Sequence, residues 1–112
     1  TALKAASCFG GGMRCGEVCG AVTGALMALG IRFGWATEDD PESKAAAYRR
    51  TEEFIQKYRE KRGTILCREL LGYNIGIPEE AAKIRELGLY EKICNGAITD
   101  AVEIAEEIIR QG

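Results

Sequence analysis

Apolar residues recur at helical spacing along nearly the whole chain, and this pattern constrains the fold more than any other feature of the sequence. No stretch alternates between apolar and polar residues as a half-buried β-strand does. A chain of 112 residues is long enough for one hydrophobic core but not for two. We therefore expect residues 1–112 to form a single all-α domain, a compact multi-helix bundle.

Start and stop residues predict where the helices lie. The glycine-rich segment FGGGMRCG predicts a loop before the central helix. Asp40 as N-cap and Pro41 at the first helical position open a long helix that Gly63 ends. Leu3 to Ser7 are typical of the end of a helix, so we expect an N-terminal helix of which only the tail is present. The predicted helices are Glu17–Phe33, Pro41–Arg62, a short helix capped by Thr64 and ending at Leu71, Pro78–Leu87 and Ala97–Arg110.

Several apolar and aromatic residues are assigned to helix packing. The last helix carries a continuous apolar stripe at helical spacing, formed by Ile98, Ala101, Val102, Ala105, Ile108 and Ile109. Trp35 is expected to cap the core at the end of the central helix. The tyrosines are expected to pack with their hydroxyls at the surface, and they are Tyr48, Tyr58, Tyr73 and Tyr90.

Charge and composition exclude some classes of partner. The net charge of −2 gives no basic face for nucleic acid. The longest apolar stretch, Ala21 to Ile31, is too short and too rich in glycine to span a bilayer. Five cysteines in so short a chain, without a signal-peptide pattern, favour a reducing cytoplasmic location, where such clusters often bind metal or do redox work.

Three cysteines, Cys19, Cys67 and Cys94, lie where a helix is predicted to begin, and the chain contains no histidine. Unpaired N–H groups and the positive end of the helix dipole favour a thiolate over a thiol. Thiolates bind soft metals and react in redox exchange. Without histidine, a Cys–His nucleophile and histidine-ligated zinc or haem are excluded. What remains is sulfur-only metal ligation or thiol exchange.

Glycines lie next to these cysteines. Gly16, Gly20 and Gly24 recur every fourth residue, which predicts either tight helix packing or, at Gly20, room around the Cys19 sulfur. Gly11 and Gly12 belong to a glycine triplet that could form a nest of N–H donors for an anionic thiolate or cluster. We expect Gly11, Gly12 and Gly20 to help bind a cofactor.

The remaining cysteines, Cys8 and Cys15, flank the glycine triplet. The chain has no CxxC pair, which argues against a thioredoxin-type motif and a zinc knuckle. Cys15 lies four residues before Cys19, a spacing at which two sulfurs can share a metal or cluster. We therefore include Cys15 among the candidate metal ligands.

The segment CGAVTG, from Cys19 to Gly24, resembles the CGAxxG signature of the C_GCAxxG_C_C family. The likeness covers nearly the whole chain, because CRELLGY and LYEKIC resemble the two later cysteine motifs of that family. The resemblance implies that Cys19, Cys67 and Cys94 are three of the family's four characteristic cysteines. The first of the four belongs to an N-terminal helix that this sequence does not contain, and Cys15 could stand in for it.

The resemblance implies a redox role, and a related domain in certain multihaem cytochromes is associated with an iron–sulfur centre. We therefore expect Cys19, Cys67 and Cys94, with Cys15 or an upstream cysteine, to bind an iron–sulfur cluster or, alternatively, zinc. The protein would then carry electrons to a redox partner protein, and a homodimer could complete the site. Two alternatives stay open: a thiol–disulfide oxidoreductase using the same cysteines, and a non-catalytic helical interaction module.

Overall fold

The computed structural model describes residues 8–34 and 40–112, and this part of the chain confirms the predicted all-α fold. Within it, no helix combines the length and apolar character needed to cross a membrane. The predictions for Leu3 to Ser7 and for Trp35 lie outside the described residues. The helices are α1 (Gly20–Phe33), α2 (Pro41–Arg62), α3 (Cys67–Leu71), α4 (Pro78–Leu87) and α5 (Asn95–Gln111).

Helix α2 begins and ends where its capping residues predict. The Asp40 carboxylate accepts a hydrogen bond of 3.1 Å from the Ser43 N–H, and Pro41 occupies the first turn. At the other end Gly63 adopts a φ of 84°, and its N–H donates to the Arg59 carbonyl at 2.7 Å. The predicted bounds of α4 are confirmed in the same way, with Pro78 at its start and Gly88 after its end.

The main core lies where α1, α2 and α5 pack against one another. Tyr58 is fully buried here, so the prediction that its hydroxyl lies at the surface is wrong. Phe54 and Tyr58 are four residues apart and turn the same face of α2 inward, with ring centroids 5.8 Å apart. Tyr48 is half exposed. The buried cluster consists of Val22, Leu29, Phe54, Tyr58, Ala101, Ile104, Ala105 and Ile108.

A second, smaller cluster forms around α3 and α4. Cys67 is one of its buried members, and Cys94 packs against it from the segment before α5. The other buried members are Leu71, Ile75, Ala81 and Ile84. The described chain therefore holds two adjacent apolar clusters, and a site can lie at their junction.

Helix α5 buries only part of its predicted apolar stripe. Ile98 and Val102 stay about half exposed, because they line a groove of about 460 Å³ between α1 and α5. Small residues of α1 such as Gly24 and Ala28 form the opposite wall, and no other described element covers this groove. Gly24 of α1 therefore faces open space and does not pack tightly against another described helix.

Candidate functional site

The glycine-rich segment forms the predicted loop, and its backbone is unusual. The loop is closed by the Glu17 N–H, which donates to the Gly12 carbonyl at 3.1 Å. Left-handed backbone costs a residue with a side chain about 1–2 kcal/mol, so the loop is held in place by its surroundings. Four consecutive residues have positive φ: Gly11 (67°), Gly12 (59°), Met13 (58°) and Arg14 (59°).

The loop leads into an extended segment that pairs with the chain before α3. The Cys67 N–H donates to the Glu17 carbonyl at 2.7 Å, and the Cys19 N–H donates to the Ile65 carbonyl at 2.7 Å. These bonds form an isolated antiparallel bridge in which Val18 lies opposite Leu66. The prediction that the central helix starts at Glu17 is therefore wrong, because Glu17 to Cys19 use their backbone groups in this bridge.

The same pairing displaces two residues from the helix starts predicted for them. Glu17, predicted as the first residue of the central helix, has a carboxylate that accepts a hydrogen bond of 3.1 Å from the Arg68 guanidinium. The Thr64 hydroxyl accepts from the Leu66 N–H at 3.1 Å and donates to Glu69, while Leu66 itself occupies the N-cap of α3. Long-range pairing has outweighed the local helix signals at both places.

The bridge brings two of the candidate cysteines together. Side chains alternate along extended backbone, so Cys19 and Cys67 lie on the face opposite Val18 and Leu66. The Cα atoms of two residues placed diagonally across such a bridge are about 7–8 Å apart. As the sequence predicts, both stand at helix starts, Cys19 as the N-cap of α1 and Cys67 as the first residue of α3.

Cys94 does not stand at a free helix start, in contrast to the prediction. It is the last residue of a π-helical turn, Tyr90–Cys94, that continues directly into α5. Leu89 and Asn95 both have helical φ and ψ, so nothing interrupts the helix at Cys94. Its sulfur is positioned by a continuous helix and not by a cap.

Cys19, Cys67 and Cys94 line one cavity of about 350 Å³. The cavity lies between the two apolar clusters, since Cys19 packs against the main core while Cys67 and Cys94 belong with the smaller cluster. Its wall is otherwise mainly apolar, and Phe9 and Tyr90, each more than a third exposed, form part of its edge. Cysteines distant in the sequence thus share one partly open space.

Cys15 lies outside this cavity. Its side chain is exposed, and its thiol donates a hydrogen bond of 3.1 Å to the Met13 carbonyl. Cys8 is also exposed and outside the cavity lining. A role of Cys15 as a ligand stays a prediction, and it would require the loop to present this sulfur differently.

Like the candidate cysteines, the candidate glycines do not all line the cavity. Gly11 and Gly20 line the cavity, whereas Gly12 is buried against the backbone of Glu17. At Gly20 an added Cβ would lie 3.2 Å from the Gly10 Cα, so this glycine lets the loop approach α1. Gly96, two residues after Cys94, lies against the Arg62 guanidinium.

Burial controls the electrostatics of two of the thiols. It raises the pKa of the Cys67 thiol to about 11, with further contributions from the neighbouring Cys19 and Cys94. Burial, followed by the nearby Cys19, also raises the pKa of Cys94. The expectation that helix N-termini would favour thiolates is therefore wrong for these two residues.

Tyr58 is a neighbour of the site that the sequence did not reveal as one. Burial, and next the adjacent Cys19, hold the pKa of its hydroxyl above the ordinary range. This hydroxyl is buried and forms no hydrogen bond with any described residue. The four-residue spacing of Phe54 and Tyr58 was the available signal for an inward-facing ring.

The donor set fits a sulfur-ligated group in its chemistry, because the three cavity cysteines offer soft ligands and the chain has no histidine. Their positions do not suit a single metal ion, however. Within residues 8–34 and 40–112, no three cysteine or acidic side chains lie close enough together to hold one ion. The cysteines surround a space and do not converge on a point.

Comparison with known proteins gives one match. No curated protein and no solved structure matches this chain. A family model described as "Putative redox-active protein (C_GCAxxG_C_C)" matches residues 1–108. This match confirms the resemblance seen in the CGAVTG segment and the later cysteine motifs, and it covers nearly all of the 112 residues. The chain belongs to the C_GCAxxG_C_C family.

Proposed function

We propose that this protein transfers electrons through an iron–sulfur cluster bound by Cys19, Cys67 and Cys94. The observation that carries the proposal is the shared cavity: three cysteines from separate segments line it, while Cys8 and Cys15 do not. The redox character of the family is consistent with such a centre.

A cluster suits this arrangement better than a single ion. One zinc ion needs all its sulfurs about 2.3 Å from the same atom. The described residues contain no group of three that could hold one ion in this way. A cluster presents several iron atoms, each of which binds its own cysteine, so its ligands can stand around a space of about 350 Å³.

The residues of the chain have separate roles in this proposal. When bound, the cluster supplies one-electron oxidation and reduction. The Cys67 and Cys94 thiols must lose their protons to act as ligands, which their raised pKa values oppose and the charge of the metal favours. Apolar neighbours such as Ile75 limit the access of water, and exposed Phe9 offers an edge that a redox partner protein can approach.

Thiol–disulfide exchange is less well supported. An attacking cysteine must be a thiolate, and the raised pKa values of Cys67 and Cys94 keep both protonated at neutral pH. A disulfide also needs Cα atoms about 4.4–6.8 Å apart, which is closer than the diagonal positions of Cys19 and Cys67 in the bridge.

The test is iron and acid-labile sulfide analysis, with a visible spectrum, on protein prepared or reconstituted without oxygen. We expect brown protein, with iron content strongly reduced in Cys19→Ser, Cys67→Ser and Cys94→Ser. The matched control is Cys8→Ser, which changes an exposed cysteine outside the cavity and is expected to keep its iron. Circular dichroism would confirm that each variant is folded.

Two outcomes of this experiment have a definite meaning. A folded wild-type protein that stays colourless and takes up no iron contradicts the proposal. The Cys15→Ser variant tests the fourth ligand: loss of iron there assigns that role to Cys15, and full retention excludes Cys15 from it.

A further inference from the structure

The Tyr58 hydroxyl is a buried donor that lies beside Cys19 without a hydrogen bond of regular geometry to any described residue. The side chain is fully buried, and its hydroxyl has no hydrogen-bond partner among the described residues. Burying a hydroxyl without a partner costs free energy, and a phenylalanine ring would fill the same space without that cost. A donor in this situation points to an acceptor that becomes available in another state of the protein.

The surroundings of Tyr58 leave Cys19 as that acceptor. Stacking on Phe54 holds the tyrosine ring within the main core, and Cys19 packs against the same core beside the hydroxyl. Arg62 and Asp100 also influence the hydroxyl, but they form an ion pair of 2.5 Å with each other, and the Asp100 carboxylate pairs with Lys61 as well.

The acceptor strength of the Cys19 sulfur depends on its state. A neutral thiol sulfur accepts hydrogen bonds weakly, whereas a metal-bound thiolate carries negative charge and accepts them well. We propose that Tyr58 donates a hydrogen bond to the Cys19 sulfur when Cys19 ligates the cluster, an inference that rests on the proposed function. Tyr58 is then a positioning residue that acts on the cluster through its ligand.

This hydrogen bond has a consequence for the redox equilibrium. The cluster gains negative charge on reduction, and a donor to a ligand sulfur stabilises the reduced form more than the oxidised form. Tyr58 therefore raises the reduction potential, while it contributes nothing through its hydroxyl to the stability of the metal-free protein.

The test compares Tyr58→Phe with wild-type protein and with Tyr48→Phe, a control that removes a hydroxyl from an exposed ring on the same helix. In the metal-free protein we expect Tyr58→Phe to unfold at the same or a higher denaturant concentration than wild type. In the loaded protein we expect a lower midpoint potential for Tyr58→Phe and an unchanged potential for Tyr48→Phe.

The outcomes separate this inference from the proposed function. If wild-type protein binds no cluster, the proposed function fails and the role of Tyr58 fails with it. If a cluster binds but Tyr58→Phe keeps the wild-type potential, only the role of Tyr58 is overturned. A clear loss of stability in metal-free Tyr58→Phe also overturns it, because the hydroxyl would then already have a partner.

Discussion

Gly16 holds the loop against α3, and replacing it by alanine tests how the candidate cysteines are brought together. Its φ is 72°, and an added Cβ would lie 2.8 Å from the Asn74 Oδ1 and 3.0 Å from the Arg68 Cβ. Neither neighbour can move easily, because the Asn74 oxygen accepts a hydrogen bond of 2.8 Å from the Gly76 N–H and the Arg68 Cβ is fixed to the backbone of α3.

The expected loss of stability follows from these contacts. Left-handed backbone costs alanine about 1–2 kcal/mol, and overpacking adds about 1–3 kcal/mol. The smaller conformational entropy of the unfolded variant offsets only about 0.4–1 kcal/mol of this loss of stability. We therefore expect Gly16→Ala to lower the free energy of unfolding by about 2–4 kcal/mol.

Gly72→Ala is the matched control. Gly72 has a similar φ of 76°, but an added Cβ would meet no atom within 4 Å, so this variant loses only the conformational term of about 1 kcal/mol. Urea unfolding measures the difference, and with a slope of about 2 kcal/mol per molar a gap of about 2 kcal/mol separates the midpoints by about 1 M. Equal midpoints for Gly16→Ala and Gly72→Ala would refute the packing of the loop against α3.

Two further predictions concern α1 and the buried thiol. Gly24→Ala is expected to stabilise the protein by about 0.5–1 kcal/mol through helix propensity, because no atom lies within 4 Å of the added Cβ. Gly20→Ala is expected to gain less or to lose stability, because its added Cβ would lie 3.2 Å from the Gly10 Cα. Denaturant midpoints that rank Gly20→Ala above Gly24→Ala would count against this packing. The raised pKa of Cys67, from 9.0 to about 11, means that the unfolded chain loses its proton first, so metal-free protein should lose stability as the pH rises from about 9 to about 11. Urea midpoints across this range should fall more steeply for wild type than for Cys67→Ala, and parallel profiles would contradict the burial of this thiol.

Local signals were sufficient for much of the fold. The bounds of α2 follow from Asp40, Pro41 and Gly63, because a cap acts within one turn of the residue that carries it. The sequence also placed Cys19 and Cys67 near helix starts, although the predicted starts at Glu17 and Thr64 are replaced by N-caps at Cys19 and Leu66.

Non-local contacts account for what the sequence did not predict. Val18 pairs with Leu66, which is far away in the chain, and two short extended segments carry no alternating pattern that could announce the bridge. The burial of Tyr58 depends on α1 and α5 packing over one face of α2, which periodicity alone does not assign. Likewise, the sequence predicted a helix that begins at Ala97, whereas helical backbone already runs through Cys94 into α5.

The most direct test of the account is whether Cys19, Cys67 and Cys94 meet around one space in solution. A short bifunctional thiol reagent, applied to reduced metal-free protein and followed by peptide mass spectrometry, measures which cysteines can be joined. We predict cross-links among these three residues, and none of comparable yield that join them to exposed Cys8 or Cys15. Cross-links that favour Cys15, or an absence of links between Cys19 and Cys67, would contradict the shared cavity and with it the proposed redox centre.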